Sequence, residues 1–144
     1  MKNLVLILIF GLFFTNSWAQ KVATYSTGTT GEENYESFGF WVNNEGEKDF
    51  ITYNYGKDKT EAKITYAGLS NFKGVPCFKI QFANKLQLFV MINGNQLQIA
   101  DNSGKYLKTF KWEYEGPING IGTYCNVCAS DENEAILITK KFMN

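Results

Sequence analysis

The chain contains no histidine and no arginine among its 144 residues. Without imidazole there is no Ser-His-Asp or Cys-His nucleophile pair, no proton shuttle near neutral pH and no histidine metal ligand. Without guanidinium there is no planar fork for bidentate capture of phosphate or carboxylate. Every basic residue is a lysine, and 14 of them balance 14 acidic residues. Nucleic acid, whose binding needs clustered positive charge, is therefore not an expected partner. Sites built from carboxylates, lysine, tyrosine or cysteine stay open, but the usual hydrolytic machinery is missing. These absences point to binding rather than catalysis, with no catalytic residue, cofactor or metal assigned.

Long apolar runs are also scarce, and the only one stands at the start. MKNLVLILIFGLFFTNSWAQ carries Lys2, an apolar run from Leu4 to Phe14, and a polar tail ending Ser17-Trp18-Ala19. That order is the signature of a secretory signal peptide over 1–19 with a small-x-small cleavage site, so the mature chain is expected to begin at Gln20. The run is too short for a transmembrane helix, which needs about 20 apolar residues, so no membrane span is expected. No cysteine follows it, which argues against a lipoprotein anchor. The expected location is secreted or periplasmic.

The remainder, 20–144, suits a single domain. Residues 20–33 include TYSTGTTGEE, a Ser-, Thr- and Gly-rich stretch that reads as a flexible leader. From 34 onward, short alternating runs separated by polar turns signal strands. Phe78, Ile80 and Phe82 share one face, as do Leu86, Leu88, Val90 and Ile92 in the next run. Asn93-Gly94 marks a tight hairpin. Gln96–Ile99 and Tyr106–Tyr114 complete a four-strand antiparallel meander, the last run aligning Phe110, Trp112 and Tyr114.

Three earlier runs, Ser37–Val42, Phe50–Tyr55 and Ala62–Ala67, alternate in the same way, and Gly120–Cys125 is a candidate eighth strand. Ser130, a good N-cap, opens a segment with Asp131, Glu132 and Glu134 early and Lys140 and Lys141 late, a charge order that suits a helix over about 131–142. The expected fold is mainly β: an antiparallel meander forming a small barrel of seven or eight strands, or a sandwich, with one C-terminal α-helix. No connection between strands is long enough for a helical crossover, which disfavours a parallel sheet.

Three cysteines follow the signal segment: Cys77, Cys125 and Cys128. Export permits disulfides, and an odd count leaves one thiol over. A bridge from Cys77 to Cys125 closes about 48 residues and removes roughly 4 kcal/mol of unfolded-chain entropy, against about 2 kcal/mol for closing Cys125–Cys128. A structural bridge from Cys77 to either partner is thus the first expectation, with a local Cys125–Cys128 bridge next. A CxxC redox couple is the chemical alternative, but its thiols come late in an all-β pattern, before the helix rather than at its first turn. A metal site lacks a fourth thiol or histidine and would need a carboxylate such as Asp131. Glu113 and Glu115 share a strand face, the arrangement of paired acid–base carboxylates, yet they also alternate with Phe110, Trp112 and Tyr114 as an ordinary wet face.

Aromatic residues are plentiful, and most sit on apolar faces, where core packing accounts for them. A small barrel lined by Phe40, Tyr53, Tyr55, Phe78, Ile80, Phe82, Val90, Phe110 and Trp112 would hold a small apolar ligand. Exposed rings would instead stack on sugars or on a partner protein. Gly39-Phe40-Trp41 resembles the G-x-W of the first lipocalin strand, a resemblance that implies a barrel carrying apolar molecules. Ser103-Gly104-Lys105-Tyr106, with Trp112 and Gly116 downstream, resembles the S-G-x-x-Y signature of small periplasmic lysozyme inhibitors, although Glu115 stands where that family has a lysine. The expectation is a small exported, non-enzymatic protein holding an apolar ligand in a β-barrel. The alternatives are an inhibitor-like protein- or surface-interaction module and a thiol–disulfide oxidoreductase using Cys125 and Cys128.

Overall fold

The computed structural model describes residues 20–114 and 125–144. The expected signal peptide over 1–19, most of the strand expected over 120–125, and Glu115 lie outside the described residues. The chain is mainly β: β1 Lys21–Thr27, β2 Glu36–Val42, β3 Phe50–Tyr55, β4 Thr60–Ala62, β5 Ile64–Phe72, β6 Val75–Phe82, β7 Gln87–Asn93, β8 Gln96–Ala100 and β9 Tyr106–Trp112. The helix α1, Glu132–Lys140, follows and tightens into a 3-10 turn over Lys141–Met143, close to the expected span.

Among the described residues, the nine strands form one antiparallel sheet ordered β4-β3-β2-β1-β9-β8-β7-β6-β5. It is a curled half-barrel, so the sandwich alternative gives way to a single continuous sheet. Pairing follows chain order except where β1 meets β9 and where β4 passes into β5. The two edge strands, β4 and β5, are separated by Lys63 alone. The edges are therefore two halves of one bent stretch of chain, the first paired with β3 and the second with β6.

Residues 21–27, expected within a flexible leader, instead form β1, and that expectation is corrected here. Seven register pairs tie β1 to β2, from Lys21↔Val42 to Thr27↔Glu36, and Tyr25↔Trp112 and Ser26↔Lys111 tie it to β9. The Ser/Thr content that suggests a loop belongs to β-favouring Thr24 and Thr27 and to Ser26, which stand on a pleated ribbon whose Ala23 and Tyr25 are fully buried. Propensity for turns lost to burial on both faces.

One residue of slip decides what β5 does. Tyr66 pairs with Ile80 and Leu69 with Phe78, so an extra residue bulges between them, where Gly68 has φ +98°. A bulge inverts the facing of everything beyond it. Ile64 packs on the inner cluster, while Phe72 joins Cys77, Met91 and Ala100 in a separate cluster with Phe89. The β7–β8 hairpin also differs in detail from its expected turn. Asn93 pairs with Gln96, which leaves Gly94 and Asn95 central, and only Gly94 has positive φ, as in a type II′ turn.

The helix starts one residue later than expected. Asp131 is the N-cap, its Oδ1 accepting from the Glu134 N–H at 2.9 Å, while the Glu134 carboxylate accepts from the Ser130 N–H at 2.6 Å and the Ser130 hydroxyl at 2.8 Å. This is the reciprocal logic of a capping box, moved by one position. Lys21 of β1 approaches the same carboxylate at 3.1 Å, and these donors hold Glu134 below its ordinary pKa. The helix then lays Ala135, Ile138 and Thr139 into the sheet's concave side. Phe142 follows, its ring 5.4 Å from that of Phe40, and the Tyr66 hydroxyl donates to the Phe142 carbonyl at 3.0 Å.

The cysteines pair locally. Cys125 and Cys128 are bridged, and Cys77 is buried and unbridged, which corrects the expected bridge from Cys77. Sheet order gives the reason. Cys77 lies on β6, whereas Cys128 bridges to Val22 of β1, four strands away. At about 4.8 Å per strand that is roughly 19 Å along the sheet, far beyond the ~7 Å Cα reach of a disulfide. Loop entropy favoured the long bridge, but topology forbids it. The bridged segment also completes the sheet: the Val22 N–H donates to the Val127 carbonyl and the Ala129 N–H to the Val22 carbonyl, both at 2.8 Å. It occupies the part of the β1 edge that β9 leaves open.

Two outcomes follow. Phe142→Ala is expected to cost about 3–5 kcal/mol in urea unfolding, as for a buried ring lost without collapse of the site, whereas Leu137→Ala, whose side chain is 64 % exposed, stays within about 0.5 kcal/mol. Alkylation of the native protein should label no thiol, because burial both shields Cys77 and pushes its pKa up. Unfolding without reductant should expose Cys77 alone.

Candidate functional site

The residues expected to line an apolar cavity form the packed interior. Phe40, Phe78, Ile80, Val90 and Phe110 are completely buried in one cluster. Their rings meet one another and the C-terminal segment: Phe40 and Phe78 at 6.1 Å, Phe38 and Phe110 at 5.0 Å, Tyr25 and Phe40 at 5.8 Å, all close to edge-on. Such geometry is the preferred contact of aromatic quadrupoles. Tyr53, Phe82 and Trp112 are partly buried against this cluster, and Tyr55 is 45 % exposed.

Tyr53, Tyr55 and Phe82 gather at one end of the half-barrel. On the inner face of β2, Val42 and Phe40 lie beside the helix, which places Glu36 at the opposite end. There the Tyr53 hydroxyl donates to Glu36 Oε2 at 2.6 Å, and the Lys108 ammonium pairs with Oε1 of the same carboxylate. Tyr53 stacks on Tyr55 at 6.2 Å and meets Phe82 edge-on at 5.5 Å. Burial first, then the Glu36 carboxylate, push the Tyr53 phenol far above its ordinary pKa.

The outer face of β1–β3 holds a groove of about 190 Å³ lined by Val22, Thr24, Tyr35, Ser37, Gly39, Trp41, Thr52, Asn54 and Lys59. Register generates it. The row Thr24–Gly39–Thr52 crosses three strands, flanked by the row Ser26–Ser37–Asn54 on one side and Val22–Trp41–Phe50 on the other. The centre of this three-by-three grid is a glycine, so the middle of the sheet face is a dent. A Cβ on Gly39 would lie 2.6 Å from Thr52 Oγ1 and 3.0 Å from Trp41 Nε1.

The walls are fixed by their own bonds. The Trp41 indole N–H donates to Thr52 Oγ1 at 3.2 Å, and the indole stacks on Phe50 at 5.7 Å with only 6° between the planes. Lys59, in the left-handed region at φ +49°, carries its ammonium 5.3 Å above the Tyr35 ring. Among the described residues it is the only charged side chain lining the groove. Just beyond the lining, across from Ser37, the Ser26 hydroxyl is buried without a hydrogen-bond partner. Such an orphan costs about 1–3 kcal/mol.

None of the groove's residues stood among the expected ligand-lining set. Gly39 and Trp41 entered the sequence reading through the G-x-W resemblance, and Thr24 was assigned to the leader. A usable signal was present: alternation puts Gly39 on the outer face between Ser37 and Trp41, and a glycine within a strand marks a bulge or a close approach. The Ser103 loop is held by Asp101, whose Oδ1 accepts from the Ser103 N–H and hydroxyl and from the Lys105 N–H. Among the described residues no cluster of three or more metal-binding side chains occurs. Comparison of the chain with protein-family models, with curated proteins and with solved structures gives no match.

The phenol of Tyr53 sets a pH expectation. A raised pKa in the folded state contributes stability that is fully present below the unfolded value near 10 and is lost as pH rises through the folded value. Tm should therefore fall above about pH 10, and Tyr53→Phe should fall less steeply over the same range. Equal slopes would exclude Tyr53 as a contributor. Tyr25 and Tyr66 are also raised by burial, so some slope remains in the variant.

Proposed function

We propose that this chain is an exported, non-enzymatic binding protein that takes a small polar ligand in the groove on the outer face of β1, β2 and β3. The dent at Gly39 carries the reading. Most of a sheet face is filled by the side chains at alternate positions, whereas here the central residue has none, so the Trp41 indole and the Thr52 hydroxyl lean in over Gly39 and form one wall of the groove. Thr24, Ser37, Thr52 and Asn54 supply donors and acceptors around it, and Trp41 supplies a flat apolar wall. The reading departs from the expected apolar ligand in the interior, where Phe40, Phe78, Ile80, Val90 and Phe110 are packed in one cluster.

Export rests on the signal-like start of the sequence, and the Cys125–Cys128 disulfide suits an oxidising compartment. The disulfide is assigned a structural role because its segment is hydrogen-bonded to β1. A second reading, an apolar ligand at the end ringed by Tyr53, Tyr55 and Phe82, is favoured by the exposure of the Tyr55 ring.

A protein-observed NMR screen of small polar fragments tests the primary reading. Hits are expected to shift the Trp41 indole N–H and the Gly39 and Thr52 amides, and to weaken at least tenfold (about 1.4 kcal/mol) in Gly39→Ala. Hits that move only Tyr53, Tyr55 and Phe82 would transfer the function to the second reading.

A further inference from the structure

Resting on the groove reading above, we infer that its ligand is a neutral saccharide unit. Polarity excludes a lipid-like occupant. Apolar pockets are lined mainly by hydrophobic side chains, whereas this groove presents the aliphatic hydroxyls of Thr24, Ser37 and Thr52, the phenol of Tyr35 and the amide of Asn54. Charge disfavours an ion. Among the described residues no carboxylate lines the groove to hold a cation, and the single lysine, already above the Tyr35 ring, is a point charge without the fork that fixes an anion.

What remains is a ligand that both donates and accepts at several places and also has an apolar face. Hydroxyl and amide side chains match such groups because each is donor and acceptor at once. A sugar ring has hydroxyls around its rim and C–H groups on its faces. The indole of Trp41 is the complementary wall. Its N–H is already committed to Thr52, which fixes the ring's orientation, and Phe50 backs it in parallel. A side-chain stack of this kind offers apolar area at little entropic cost, since both rings are held before the ligand arrives.

Size points the same way. About 190 Å³ is below the roughly 300 Å³ at which pockets for drug-sized molecules begin, so the groove takes one ring and not a chain. Spacing of the grid sets the reach: neighbours across strands stand about 4.8 Å apart and alternate residues along a strand about 6.8 Å apart. Thr24 and Thr52 therefore flank the dent on opposite sides, with Ser37 and Trp41 at its two ends.

The test is a ¹H–¹⁵N NMR titration of the purified chain with three probe classes, each to tens of millimolar. These are neutral hexoses and N-acetylhexosamines with their short oligomers, then acetate and inorganic phosphate, then hexanol. The expected result is saccharide-dependent shifts at the Trp41 indole N–H, Gly39, Thr52 and the Asn54 side-chain amide. Affinity should fall at least tenfold in Asn54→Ala and in Trp41→Phe, with the β6–β8 amides unchanged as evidence that both variants fold. Shifts of the same groove signals by acetate or phosphate, with none from saccharides, would overturn the saccharide assignment and leave the binding reading intact. Saccharide shifts confined to Tyr53, Tyr55 and Phe82, or undiminished in both variants, would also overturn it. No groove shifts from any probe class would overturn both readings.

Discussion

Everything in this molecule depends on the pairing of β1 with a neighbour along each edge. On one side β2 matches it residue for residue; on the other, β9 takes its C-terminal half and the segment around Cys128 its N-terminal half. Without β1 the order of strands would break between β2 and β9, and the sheet would fall into two pieces with no shared core. The same seven residues build both faces. Ala23 and Tyr25 belong to the interior, while Val22 and Thr24 line the outer groove.

From that pairing, the division between inside and outside follows by alternation. Phe38, Phe40 and Val42 turn inward to meet rings from β3, β6 and β9 and from the C-terminal segment, and the space is occupied by side chains in contact. Ser37, Gly39 and Trp41 turn outward by the same period of two. The curled sheet has a residual weakness where β4 passes into β5. There β3 and β5 lie alongside one another without ladder pairing, and the C-terminal turn packs near the seam, with Phe142 bonded to Tyr66 through its carbonyl. A helix of nine residues is marginal alone, so its stability comes from this docking, from the Asp131 and Glu134 caps, and from the ion pair to Lys21.

Much of the architecture was readable in advance because strands wetted on one face write a period of two into the sequence. Phe78-Lys79-Ile80-Gln81-Phe82 and its three successors give the meander directly, and the charge order from Asp131 to Lys141 gives the helix. Failures came where local composition and tertiary context disagree. Thr24-Tyr25-Ser26-Thr27 looks like a loop in isolation and becomes a strand only because β2 and β9 are there to pair with it. The bulge at Gly68 is invisible to alternation, since it appears only as a change of partner between Tyr66 and Leu69. Loop entropy ranked the disulfides in the wrong order because it knows nothing of the three strands, β9, β8 and β7, that stand between β1 and β6 in the sheet. The groove was hidden for a related reason: its rows combine residues from three strands, and only their register places Gly39 between Thr24 and Thr52.

Native-state amide hydrogen exchange across β1 tests the central claim most directly. If β1 is the strand that holds the sheet together, its paired amides, Val22 among them, exchange only through global unfolding, with the same free energy as the core amides of β2 and β7. Exchange of β1 amides at rates close to those of an unstructured peptide, with β2 still protected, would contradict the account.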